Sequence, residues 1–197
     1  MKKNIFLIFL ILFFSSCAKN QKIIEDQKIK FEKEKIELVK QEKKDKLKVI
    51  LNNIVLLIKT SNSSYLNDKY IKQDFGIYRV FIDDKSEQLS YEHSKTFEEI
   101  DNYIPNENIS FENISFVCKA EKDSSYGWSK EGVFVNENFK NIALKLNLED
   151  KIRDTLKDSY QVIITNNIVF YLTYIENEWY ITLIDEVISD CTYENIQ

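Results

Sequence analysis

One histidine, three cysteines and a surplus of carboxylates are the raw material for chemistry in this chain of 197 residues. Nucleophilic catalysis needs a base within hydrogen-bond reach of the nucleophile. His93, the single histidine, sits between Glu92 and Ser94 in a polar stretch. Residues adjacent in sequence rarely hold the mutual geometry for proton transfer, and no spacing identifies a distant partner. His93 is therefore expected to be a solvated loop residue, and no catalytic residue is assigned. One histidine also leaves too few ligands for a Cys/His zinc site, so neither a metal nor another cofactor is expected. Asp83-Asp84, Glu98-Glu99 and Glu149-Asp150 are carboxylate pairs of the sort that serve glycosidase acid–base chemistry or bind calcium. None has the spacing of a helix–loop–helix calcium site, and with 32 Asp and Glu in the chain adjacent pairs arise by chance. Gly127 and Gly132 bracket Trp-Ser-Lys-Glu without the Gly-Lys-Ser/Thr that a phosphate-cradling loop requires.

One loop is better suited to binding. Lys122-Asp123-Ser124-Ser125-Tyr126-Gly127-Trp128 sets two aromatics among small polar residues. Tyr126 and Trp128 would offer a large contact area at low entropic cost to a sugar or a peptide. The alternative is that Trp128 opens a strand and points into the core, with Tyr126 covering it.

Composition narrows the field. Hydrophobic residues make up 44% and charged residues 30%, as in a globular domain, while 3 Gly and 1 Pro exclude collagen-like, linker-like and Pro-rich architectures. A net charge of −5 argues against a nucleic-acid partner. The length suits a single domain with additional segments.

Those segments lie at the N-terminus. Lys2 and Lys3 precede an unbroken apolar run, Ile5 to Phe14, followed by Ser15, Ser16 and Cys17. The run is too short for the roughly 30 Å of a bilayer core but suits the apolar region of a signal peptide. Phe14-Ser15-Ser16-Cys17 resembles the lipobox of bacterial lipoproteins, with Phe where Leu is usual. The resemblance is confined to about the first twenty residues. It implies cleavage before Cys17, a lipid such as palmitate on this residue, and membrane attachment through it. One acyl chain holds a protein only marginally, whereas two or three anchor it stably. By the same resemblance, Ala18 in place of Asp favours the outer membrane, facing the periplasm, over the inner.

Residues 17–46 then read as a charged tether, helical or disordered, between a signal peptide at 1–16 and a domain at 47–197. From 21 to 47, nine Lys stand with seven Asp and Glu. Ile24, Phe31 and Leu38 recur every seven residues, but Asp45 ends the series short of a coiled coil, with a dimerising stalk as the alternative to a solvated helix or disordered spacer. Residues 48–197 hold 15 Lys and Arg against 25 Asp and Glu, a net of −10, which anionic headgroups and phosphate backbones repel. If Cys17 is consumed by lipid, Cys118 and Cys191 remain as an even pair in an exported protein. That favours a disulfide, with two reduced buried thiols as the alternative.

The elements expected to position these residues make an α+β fold, with N-terminal helices packed on an antiparallel sheet. Leu47, Ile50, Leu51, Ile54, Leu57 and Ile58 follow helical periodicity. A short helix is expected over Tyr65–Ile71, a strand over Ile77–Ile82, and a loop over Asp83–Lys95. Thr96-Phe97-Glu98-Glu99 fits a capping box opening a helix that stops before Pro105. The repeat Glu107–Phe111 and Glu112–Phe116 shifts its alternation, which predicts one strand with a bulge near Glu112 and Asn113. A strand is expected over Trp128–Val135, and a helix from Phe139 that continues or restarts through Leu148, Ile152 and Leu156. Ile168–Ile175 and Trp179–Val187, joined across Asn177, form a closing β-hairpin. This ending resembles NTF2-like and cystatin-like domains, and no functional residue follows from that likeness.

The function expected is that of a membrane-anchored lipoprotein whose domain binds an envelope protein, peptide or glycan, or is structural. A carboxylate-dependent envelope hydrolase and a small-molecule carrier on a curved sheet are the alternatives. The sequence leaves the oligomeric state open.

Overall fold

The computed structural model describes residues 2–97, 100–119, 125–137 and 139–192, and their side chains except those of 2–27, 29 and 40. Two compact units divide between Leu47 and Lys48.

The first unit is helical. Helix α1, Lys2–Lys59, runs through it and on into the second unit, so Cys17 and the charged segment after it are helical. Phe31, Ile36, Leu38 and Val39 all stand exposed on it. Lys30 and Glu34, 3.9 Å apart, and Gln41 donating to Asp45 at 3.0 Å are one-turn contacts of a solvated helix. Among the described residues no helix is long and apolar enough to cross a membrane.

The second unit begins with the end of α1, where Leu51, Ile54, Val55 and Ile58 are buried. Burial of each such side chain contributes about 1.5–3 kcal/mol. The helix stops in a Schellman turn. Ser61 takes a left-handed φ of 52°, its N–H donates to Ile58 O, and that of Asn62 donates to Leu57 O. Asn62 then caps α2, Ser63–Tyr70, by accepting from Tyr65 N.

The main sheet has seven strands: β1 Ile77–Asp83, β2 Gln88–Ser94, β3 Ile109–Ser110, β6 Val133–Asn136, β7 Tyr160–Ile164, β8 Ile168–Ile175 and β9 Glu178–Asp185. Their order is β2-β1-β9-β8-β7-β6-β3. A two-stranded sheet pairs β4, Phe116–Val117, with β5, Gly127–Trp128. The fold is α+β, and the sheet is mixed: β1 runs parallel to β9 and β3 to β6, the rest antiparallel. Parallel neighbours need a long crossover, and more than ninety residues separate β1 from β9. The closing hairpin is β8–β9, turned at Glu176 and Asn177 with φ of 51° and 70°, the conformation of a tight hairpin turn. On one sheet face, Tyr78, Val80, Tyr171 and Leu183 pack under Ile142, Ala143, Leu146 and Leu156.

Several expectations change. Asp83–Lys95 is not a loop but a turn and a strand. Asp83 Oδ1 accepts from Lys85 N and Ser86 N, which folds the chain back, and β2 looks polar because it is an edge strand facing solvent. Phe97 and 100–104 are not helical; Glu98 and Glu99 lie outside the described residues. The backbone there is taken by side-chain amides: Asn67 accepts from Phe97 N and donates to its carbonyl, and Asn167 donates to the carbonyls of Asp101 and Tyr103. The repeated pentapeptides do not form one bulged strand, since β3 and β4 belong to different sheets. Between them, Ile114 N is held by Asn136 Oδ1. Gly132, at φ 144°, separates β5 from β6 within the strand expected over Trp128–Val135. The helix expected from Phe139 is a 3-10 turn, Ile142–Lys145, and α3, Asp150–Leu156, starts afresh.

Candidate functional site

β1, β7, β8, β9 and the small sheet converge on a cleft of about 550 Å³. Its apolar walls include Phe97, Phe116, Trp128, Ile164, Ile168 and Ile184, and its polar groups include Arg79, Glu92, Asp101, Asp185 and Glu186. The position follows from local structure. Phe97 is pinned by Asn67 and Asp101 by Asn167, which leaves Phe97 and Ile100 as a wall. The β4–β5 pair supplies the aromatics.

Arg79 on β1 reaches Glu186 through Nε at 2.6 Å and Glu92 on β2 at 3.7 Å. All three are partly solvated, so these pairs fix the guanidinium's position more than they stabilise the fold. Asp185 is different, being only 5% exposed at the end of β9. Its Oδ2 accepts from Tyr171 Oη at 3.0 Å and lies 3.5 Å from Gln161 Nε2, while Oδ1 accepts from Val187 N and Ile188 N. Asn136 donates to Gln161, and Tyr171 Oη accepts from Ile142 N, so a buried polar row crosses one face of the sheet. Desolvation is the largest influence on Asp185 and raises its carboxyl above the ordinary aspartate value, against the lowering effect of its donors. The Tyr171 hydroxyl is raised too, first by burial and then by the charge of Asp185, so it remains a donor.

A raised carboxyl binds its proton more tightly in the folded chain than in the unfolded one. Its stabilising contribution is complete below the unfolded value, near 3.9, and is lost as pH rises through the folded value. Asp185→Asn is therefore expected to be at least as stable as the parent at pH 7 and to flatten the rise in stability on acidification toward the unfolded value near 3.9. Urea denaturation of both proteins across that range measures it.

The residues picked out from sequence are distributed as follows. Trp128 lines the cleft, half-buried, edge-on to Phe116 at 5.2 Å and packed against the buried cluster of Ile114, Phe134, Ile163 and Val169. It both faces the cleft and closes the core. Tyr126 does not cover Trp128. It is 65% exposed and sits edge-on to Phe116 at 5.5 Å, the ring that also meets Trp128. Lys122, Asp123 and Ser124 of that loop lie outside the described residues. Cys118 and Cys191 form a disulfide with Cα atoms 5.3 Å apart. Cys118 follows β4, whereas Cys191 is not at a strand end. It lies in a turn beyond β9, where Asp185 Oδ1 bends the chain and Asp190 N donates to Val187 O. The bridge ties this tail, including the cleft residue Ser189, to the small sheet. Cys17 is remote in sequence and lies within α1.

His93 is on β2 rather than in a loop. Its ring stacks on Tyr78 at 4.5 Å and Nε2 is 2.9 Å from Phe75 O. Among the described residues no three His, Cys, Asp or Glu side chains gather where a metal could sit. Sequence reasoning missed Arg79, Phe97, Ile168 and Glu186 as cleft residues. Only Asp185 carried a signal, a carboxylate ending the apolar strand Tyr-Ile-Thr-Leu-Ile. No protein-family model, curated protein or solved structure matches this chain.

Proposed function

We propose that this chain is a bacterial envelope lipoprotein, anchored through lipid on Cys17, whose domain binds a peptide segment of an envelope partner in the cleft beside Trp128. The cleft carries the binding part of this reading: apolar and aromatic walls to take a side chain, with Asp101 and the net negative cluster of Arg79, Glu92 and Glu186 at hand for a cationic or donor group. The acidic balance of residues 48–197 favours a basic segment over an acidic one. Hydrolysis fits less well. Glu92 and Glu186 are engaged with Arg79, and both oxygens of Asp185 are engaged with donors from the protein interior.

Selection of a random peptide library on the purified protein tests the binding reading. Enriched peptides should share an aromatic or branched aliphatic residue next to Lys or Arg. Trp128→Ala should weaken them at least about tenfold, the cost of losing a central aromatic contact, whereas Leu144→Ala, on the exposed 3-10 turn, should leave them unchanged. Enriched peptides that bind Trp128→Ala as well as the parent would place the site elsewhere.

A further inference from the structure

The main sheet ends in two different edges. β3 has two residues, too short to template another strand. β2 has seven, pairs with β1 in an unbroken register, and contains no Pro, no Lys and no bulge. Those are the devices that ordinarily keep an edge from pairing with another chain.

The register shows what this edge offers. Glu186 N donates to Val80 O, so the backbone groups of Val80 point toward β9. By alternation, those of Tyr78 and Ile82 do the same. Their β2 partners, His93, Tyr91 and Leu89, are therefore the non-hydrogen-bonded positions of the β1–β2 ladder. Their N–H and C=O groups point out from the sheet. An incoming antiparallel strand must match outward residues with outward residues. If that strand is another β2, a two-fold axis at Tyr91 pairs Tyr91 with Tyr91, Leu89 with His93, Ser90 with Glu92 and Gln88 with Ser94. This register pairs the whole strand and places no like charges opposite each other. Sliding by one step of the ladder in one direction sets Glu92 against Glu92, which is repulsive. Sliding the other way leaves two residues of β2 without a β2 partner.

We propose that β2 is a homodimer edge, at which a second copy of this chain adds its own β2 antiparallel about Tyr91 and continues the sheet. The interface rests on backbone pairing at the edge and does not depend on what the cleft binds. Tyr91, 40% exposed and 5.8 Å from the ring of Tyr78, would extend the aromatic row of Phe75, Tyr78 and His93 across the two-fold.

Sedimentation equilibrium of the full chain in detergent, over a concentration series, tests this. A reversible monomer–dimer equilibrium is expected. Ser90 faces the partner's Glu92 twice per dimer, so Ser90→Lys should tighten the dimer and Ser90→Glu should loosen it, each by about two- to thirty-fold. Opposite effects at one half-buried position cannot both come from misfolding. In membranes, Tyr91→Cys treated with a short bis-maleimide should give a cross-linked dimer, and the parent chain and Leu144→Cys should not. A monomer at every concentration, a dimer that ignores both Ser90 variants, or equal cross-linking at Leu144→Cys would overturn the proposal.

Discussion

Cys118→Ser and Cys191→Ser are each expected to cost about 4 kcal/mol of stability. The bridge closes a loop with a sequence separation of 73, and a cross-link of that span removes about this much chain entropy from the unfolded state. Small domains hold only about 5–15 kcal/mol in total, so either variant should be marginal. In urea, at about 1–3 kcal/mol/M, the midpoint should fall by at least about 1 M. The double variant should be little worse than either single one, because the same bond is lost in all three. Additive losses, or midpoints within a few tenths of a molar of the parent, would mean that the bridge contributes nothing. Since it ties the tail carrying Ser189 to the strands carrying Phe116 and Trp128, reduction should also weaken peptides selected on the cleft.

Gly76→Ala should be comparably damaging for a different reason. Gly76 has φ +76°, where a side chain is strained by about 1–3 kcal/mol. An added Cβ would also sit 2.4 Å from His93 Nε2 and 2.5 Å from Ser94 O. His93 cannot swing aside without losing its stack on Tyr78 and its hydrogen bond to Phe75 O, and Ser94 O is backbone. Overpacking of this kind adds about 1–3 kcal/mol. Gly127 gives the internal control, with φ +112° but nothing within 4 Å of a Cβ. Gly127→Ala should cost only the conformational part. Equal midpoint shifts for the two variants would contradict the close packing of β2 over Gly76.

How much of this was legible depended on burial. Helical periodicity at Leu51, Ile54 and Ile58, and the apolar strands around Asn177, announced themselves because tertiary packing and local preference agree there. β7, equally apolar over Val162–Ile164, went unrecognised because nothing marked where it began after α3. β2 was hidden because a solvated edge strand carries no apolar alternation, and its identity rests on pairing with a segment before it. Thr96–Glu99 satisfied a local capping rule, but Asn67 and Asn167, far away in sequence, took the backbone groups a helix would have used. The cleft was harder still. Trp128 could be named because aromatics in a polar loop are conspicuous, whereas Arg79, Phe97, Ile168 and Glu186 meet only through a strand order that no spacing reveals. The disulfide emerged by elimination, whereas the place of Cys191, in a turn beyond β9 that Asp185 bends, was not legible in the sequence.

The anchor is the claim on which the envelope reading stands, and metabolic labelling tests it most directly. Cells expressing the full chain are fed an alkyne-tagged palmitate, and the purified protein is read for label. The parent should be labelled and found with membranes, while Cys17→Ser should carry no label and accumulate as unprocessed precursor or leave the membrane. Labelling of Cys17→Ser equal to the parent, or a parent chain without label, would contradict lipid attachment at Cys17.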